Sequence, residues 1–236
     1  MENSSYTKSD FPALEPISDN FTNRLKIALD GEISFSGCHK NYCVGIVDIV
    51  NSSKITAPLP KAKVCKYYSI FLNSMAMIAK EFGAKVVKNI GDSLLYYFPQ
   101  TSDALNRHAC VDPLECSMTM IEAHAVINTK MQEEGLPPVN YRISADYGSV
   151  MIANSIATSS EDLFGSTVNV CAKINHNAIP NSMVVGSDLY QIVKSFDGYE
   201  FKPVAAYSSG FEFQYTVYAV KYLKARQWIF SANKNL

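Results

Sequence analysis

The chain has 236 residues, 47% of them hydrophobic and 18% charged, with a formal charge of −1. That length suits one α/β domain with a sizeable core and short appendages. The near-neutral charge gives no electrostatic case for a nucleic-acid or membrane surface, and no apolar run reaches the ~18–20 residues that cross a bilayer.

The first residues, Met1-Glu2-Asn3-Ser4-Ser5-Tyr6, have neither the basic start nor the apolar core of a signal peptide. The cysteines at 38, 43, 65, 110, 116 and 171 are scattered. Without a second Cys pair to match Cys38 and Cys43, they read as reduced thiols of a cytoplasmic protein rather than a zinc site.

In chain order, residues 1–39 read as a polar lead-in, with Pro12 and Pro16 and a short amphipathic helix from Phe21 to Leu29. The folded domain then spans 40–222. Cys43 to Val50 is almost continuously apolar and predicts a central strand. After Asn51-Ser52-Ser53 and Pro58-Leu59-Pro60, apolar residues from Val64 to Phe82 recur at spacings of three and four, ending at Gly83. This is the clearest helix. Val86 to Ile90 and Ser93 to Phe98 flank Gly91-Asp92 and predict a hairpin.

Residues 100–113 read as a polar connection ending in Pro113, followed by a second helix from about Leu114 to Glu134 that Gly135 and Pro137-Pro138 terminate. Tyr141 to Asp146 and Val150 to Ala153 read as a strand pair around Gly148, and 154–162 as a polar loop. Helical spacing returns at Val168, Cys171 and Ile174. A short strand at Met183–Val185, a helix capped by Ser187, and strands at Glu200 to Ala206 and Gln214 to Tyr222 complete the domain. Residues 223–236 are a tail with Trp228 and Phe230. The order β-α-β-β-α-β predicts an α+β, ferredoxin-like split βαβ fold, with helices on one face of a mainly antiparallel sheet.

Two aspartates stand out. Asp92 sits at the hairpin tip, and Asp48 lies inside an apolar strand, where a carboxylate costs several kcal/mol (roughly 2–7 for a polar group) unless paired. Two carboxylates at one sheet edge with no evident arginine beside them suggest a hard divalent cation.

Four segments in this order, Val47 to Lys54, Lys88 to Asp92, Tyr141 to Gly148 and Phe164 to Ile174, resemble the class III nucleotidyl cyclase catalytic domain. The resemblance implies metal binding by Asp48, Asp92 and the Ile49 carbonyl, with two Mg²⁺ or Mn²⁺ ions per site. It implies phosphate binding by Asn51, Ser52, Ser53 and Arg142, and ribose orientation by Asn169. Lys88 and Asp162 match the positions that read adenine, making ATP the expected substrate and 3′,5′-cyclic AMP the product. Lys173 stands where the family has its transition-state arginine, and the last strand shows no counterpart of a phosphate-binding lysine. A catalytically weakened nucleotide-binding signalling module is therefore the alternative. The family's division of the site between two chains implies a head-to-tail homodimer.

Plainer roles stay open for each residue. Asp92 is also an ordinary turn residue, Asp48 has Lys54 or Lys88 as possible ion-pair partners, and Lys88 and Lys173 suit solvated faces. Asp162 and Asn169 suit caps, and Arg142 suits a structural ion pair. The histidines show no metal spacing.

Overall fold

The computed structural model describes residues 18–29, 33–35, 39–155, 161–207 and 215–223. The tail carrying Trp228 and Phe230 and the first 17 residues lie outside the described residues. The first helix, α1, runs over Asp19–Leu29. A short strand β1 (Ile33–Phe35), within the stretch the sequence assigns to the lead-in, pairs antiparallel with the far end of a later strand.

The centre of the fold is β2 (Lys40–Ile49), followed by a single turn of helix, α2 (Ser52–Thr56), and the long α3 (Lys61–Glu81). Strands β3 (Lys85–Ile90) and β4 (Ser93–Phe98) form the expected hairpin. Helices α4 (Arg107–Glu122) and α5 (His124–Glu133) lead into β5 (Tyr141–Ser155), and β6 (Glu161–Phe164) folds back on it. Then come α6 (Ser166–Ile174), β7 (Ser182–Val185), α7 (Ser187–Val193), β8 (Tyr199–Tyr207) and β9 (Tyr215–Tyr222).

The strands form one sheet in the order β3-β4-β2-β5-β7-β9-β8, with β1 and β6 attached to β5. The β5–β7 pairing is parallel and the other pairings are antiparallel. The run β3-β4-β2-β5 is the split βαβ arrangement. Among the described residues no helix is long and apolar enough to cross a membrane.

Helices cover both faces of the sheet, not one. Cys43, Val47 and Ile49 of β2 pack in one core with Tyr67, Phe71 and Met75 of α3 and Leu114 and Met120 of α4. Val44 and Ile46, on the opposite face, pack with Cys171 of α6. Burial on both faces is why β2 is apolar at successive positions rather than at alternate ones.

Three local expectations are corrected. Pro113 lies inside α4 instead of ending a loop: Asn106 Oδ1 caps the helix by accepting from Ala109 N at 3.2 Å. Burial of Cys110, Pro113, Leu114 and Ser117 outweighs the missing proline N–H. The predicted helix from Leu114 is correspondingly two helices meeting at Ala123.

The strand pair around Gly148 is one continuous 15-residue strand. Gly148 marks a close approach rather than a turn, since a Cβ there would meet Thr167 Oγ1 of α6 at 2.6 Å. Finally, Ser187 does not cap α7. Its hydroxyl donates to Thr216 O and accepts from Thr216 N, both at 2.8 Å, tying the helix start to β9.

Gly45, at the middle of β2, leaves room for the fully buried ring of Tyr96 on β4. Gly45→Ala forces a methyl group into that ring, and the protein is expected to lose about 1–3 kcal/mol of stability. Urea unfolding monitored by circular dichroism measures this.

Candidate active site

The candidate residues gather where β2 meets its two neighbours. Register places Asp48 opposite Ser93 of β4 on one side and Arg142 of β5 on the other. The Ser93 hydroxyl donates to Asp48 Oδ1. Asp92 immediately precedes Ser93 in the β3–β4 turn, so both aspartates reach the same end of the sheet.

Burial raises the Asp48 pKa, the Ser93 hydrogen bond counteracts it, and the Asp92 charge raises it further. His176 and Arg142 act on Asp48 in the lowering direction. Among the described residues neither aspartate forms an ion pair, and Lys88, one of the partners open to Asp48 from sequence, pairs elsewhere.

No group of three or more His, Cys, Asp or Glu side chains able to hold a metal occurs among the described residues. At this edge stand two carboxylates, whose charges oppose one another, beside the Ile49 backbone. Hard oxygen donors with mutual repulsion suit a divalent cation such as Mg²⁺ or Mn²⁺.

Beside them, Asn51 adopts a left-handed backbone (φ 58°) and opens α2, so Asn51, Ser52 and Ser53 form the tight turn directly after β2. Asn51 O accepts from Lys54 N and Ile55 N at 3.0 and 3.1 Å. The Nε of Arg142 is buried with no hydrogen-bond partner among the described residues. Buried donors are nearly always satisfied, so an orphan of this kind calls for an acceptor.

A second group lies along β3 and β6. Asp162 belongs to β6, paired with Ala153 of β5, and not to a polar loop. Residues 156–160 of that predicted loop lie outside the described residues. Lys88 Nζ donates to Asp162 Oδ2, and Lys85 Nζ lies 2.6 Å from Glu161 Oε2. These two ion pairs run side by side between the strands. Lys88 and Asp162 therefore stand together although 74 residues separate them.

The third group is on α6. Asn169 and Lys173, one turn apart, are both exposed on it. The opposite side of α6 is anchored to the sheet: Ser144 Oγ donates to Cys171 O at 2.9 Å, and Asn175 Nδ2 donates to Ser144 Oγ at 3.1 Å. The Lys173 ammonium lies 4.6 Å from the centre of the Tyr207 ring.

Sequence reasoning assigned no role to Ser93, His176, Tyr207 or Asp146. Ser93 was within reach, since it follows Asp92 in the hairpin. The others depend on partners distant in the chain. Asp146 is 1% exposed, accepts from Tyr215 OH, and accepts from Leu189 N of α7 at 3.3 Å.

Burial pushes the Asp146 carboxyl up to about 7, against the lowering effect of the Tyr215 hydrogen bond. The folded pKa lies above the unsupported value of 3.8, so this stabilisation is complete below about pH 3.8 and is lost as pH rises through 7. Denaturant midpoints of Asp146→Asn are expected to show a flatter decline across pH 4–7 than wild type.

The family model of the adenylate and guanylate cyclase catalytic domain matches residues 36–219. Solved structures with a similar fold include the adenylyl cyclase CyaB from P. aeruginosa (18% identity; 80% of this chain and 97% of that one; TM-score 0.70). The guanylyl cyclase Cya2 is similar over 78% of this chain and 93% of its own, with 17% identity and a TM-score of 0.68. The guanylate cyclase domain of RhGC from Catenaria anguillulae, solved in complex with GTP, is 18% identical over 78% of this chain and 98% of that one, with a TM-score of 0.65. No curated protein matches the sequence.

Proposed function

Since the chain belongs to the adenylate and guanylate cyclase catalytic domain family, we propose that it is an adenylate cyclase. It converts ATP to 3′,5′-cyclic AMP and pyrophosphate with two Mg²⁺ or Mn²⁺ ions per site, at sites shared across a head-to-tail homodimer. The similar solved structures include cyclases of both kinds, and what favours ATP lies in this chain's own residues.

The observation that carries ATP is the Lys88–Asp162 pair. An ammonium donates to adenine N1, and a carboxylate accepts from the 6-amino group. Guanine reverses both groups, with an N–H donor at N1 and a carbonyl acceptor at C6, so the ammonium faces a donor and the carboxylate faces an acceptor. Polar mismatches of this kind discriminate strongly in a water-poor pocket. Both side chains stay partly exposed, 45% and 31%. An ion pair so placed is weak, about 0–1 kcal/mol, and exchanges partners for a base at little cost.

In the reaction the ribose 3′-oxygen attacks the α-phosphorus, the bond to the β-phosphate oxygen breaks, and pyrophosphate leaves. Asp48, Asp92 and the Ile49 carbonyl would hold the cations, whose chemistry when bound is to lower the pKa of the 3′-hydroxyl and neutralise phosphate charge. Arg142, with its orphaned Nε, supports a role at the triphosphate, where a guanidinium gives a fixed, permanently charged fork. Asn51, Ser52 and Ser53 present the backbone of the α2 start to the outer phosphates. Asn169 orients the ribose, and Lys173 brings a positive charge to the phosphoryl oxygens as the bond breaks.

A specific observation favours a second reading, a weakened nucleotide-binding signalling module. Lys173 replaces an arginine and cannot bridge two oxygens in a plane. Tight ATP binding without turnover would support it.

Purified protein incubated with Mn²⁺ and ATP is expected to form cyclic AMP, and to do so faster than cyclic GMP from GTP. Asp48→Asn and Asp92→Asn each reduce the rate at least about a hundredfold. Lys173→Arg raises kcat by roughly 5- to 150-fold, the kinetic equivalent of about 1–3 kcal/mol. Absence of product from folded, dimeric wild type overturns the assignment.

A further inference from the structure

We propose that Tyr207 is the positioning residue for Lys173, holding its ammonium toward the phosphoryl oxygens so that a lysine serves where an arginine is expected. The inference rests on the cyclase reading of the site.

A lysine head is a compact point charge on a flexible stem, whereas a guanidinium is planar and pre-organised. A lysine on an exposed helix face samples many rotamers unless something holds it. Tyr207 contributes to that hold. Its ring centre is 4.6 Å from Lys173 Nζ, inside the ~6 Å reach of a cation–π contact. The ring face attracts the ammonium only while it is charged, which is the form that phosphoryl oxygens require.

The ring is itself fixed relative to α6. Asn177, one turn beyond Lys173 in the chain, donates from Nδ2 to Tyr207 OH at 2.6 Å and to Ile174 O at 3.1 Å. The segment that carries the lysine thus also grips the ring. From below, Tyr207 packs against the core of Ile174, Ala178, Val184 and Val217. On its own strand it ends β8, paired with Tyr215 of β9. The phenol, the ring body and the backbone are each held, so the ring face is a rigid platform rather than a mobile neighbour.

Steady-state kinetics with Mn²⁺ and ATP test this in a double-mutant cycle. Tyr207→Leu is expected to lower kcat about two- to fivefold, with KM for ATP unchanged. Tyr207→Phe, which keeps the ring face, restores most of that loss. In a Lys173→Met background Tyr207→Leu has no further effect, because the group it positions is gone.

Equal fractional losses in both backgrounds overturn the proposal, since they mark a structural role. A rise in kcat on Tyr207→Leu also overturns it, because the ring would then be holding the lysine away from the phosphates. The lysine side-chain methylene resonances report the contact independently of turnover. They shift upfield over the ring in wild type and lose that shift in Tyr207→Leu; no shift in wild type overturns the proposal even if cyclic AMP forms. Wild type that shows the shift but makes no cyclic AMP instead overturns the cyclase reading, and the catalytic part of this inference with it.

Discussion

The site depends on one register: Asp48 of β2 held between Ser93 of β4 and Arg142 of β5. A strand buried on both faces cannot slip by one residue without exchanging the cores on its two sides. Cys43, Val47 and Ile49 on one face and Val44 and Ile46 on the other make that exchange prohibitive. The hydrophobic packing of β2 therefore fixes where the carboxylate stands. Ser93 supplies one hydrogen bond to it, while burial and Asp92 oppose its charge. This is an arrangement in which an added cation is favourable and a second carboxylate alone is not.

The Lys88–Asp162 pair, proposed to read the base, is organised differently. Lys85–Glu161 and Lys88–Asp162 are partly exposed ion pairs and contribute little to folding. Backbone pairing of β6 with β5 holds the acidic strand, and pairing of β3 with β4 holds the basic one. The scaffold bears the stability and the side chains remain available for recognition. A site that must admit and release a nucleotide needs this separation.

The α6 group follows a third rule. Cys171, Asn175 and Ser144 bind its inner side to the sheet through hydrogen bonds in a buried setting, where unmade ones are costly. The outer side is left with Asn169 and Lys173, and the far strand β8 brings Tyr207 to the lysine. In the proposed catalytic role, that ring is the platform from another part of the chain that steadies the lysine.

Sequence alone determined the central strand, the long helix Lys61–Glu81 and the Lys85–Phe98 hairpin, because each is written in local periodicity and turn chemistry. It also marked Asp48, through the anomaly of a carboxylate in an apolar run, and Asp92, through its turn. The continuity of β5 through Gly148, the helical setting of Pro113 and the strand setting of Asp162 were decided by tertiary packing. In each case burial or cross-strand pairing overrode the local preference of a glycine, a proline or a polar residue. The meetings of Lys88 with Asp162 and of Lys173 with Tyr207 were likewise beyond local reading, because contacts between distant segments exist only once the sheet order is set.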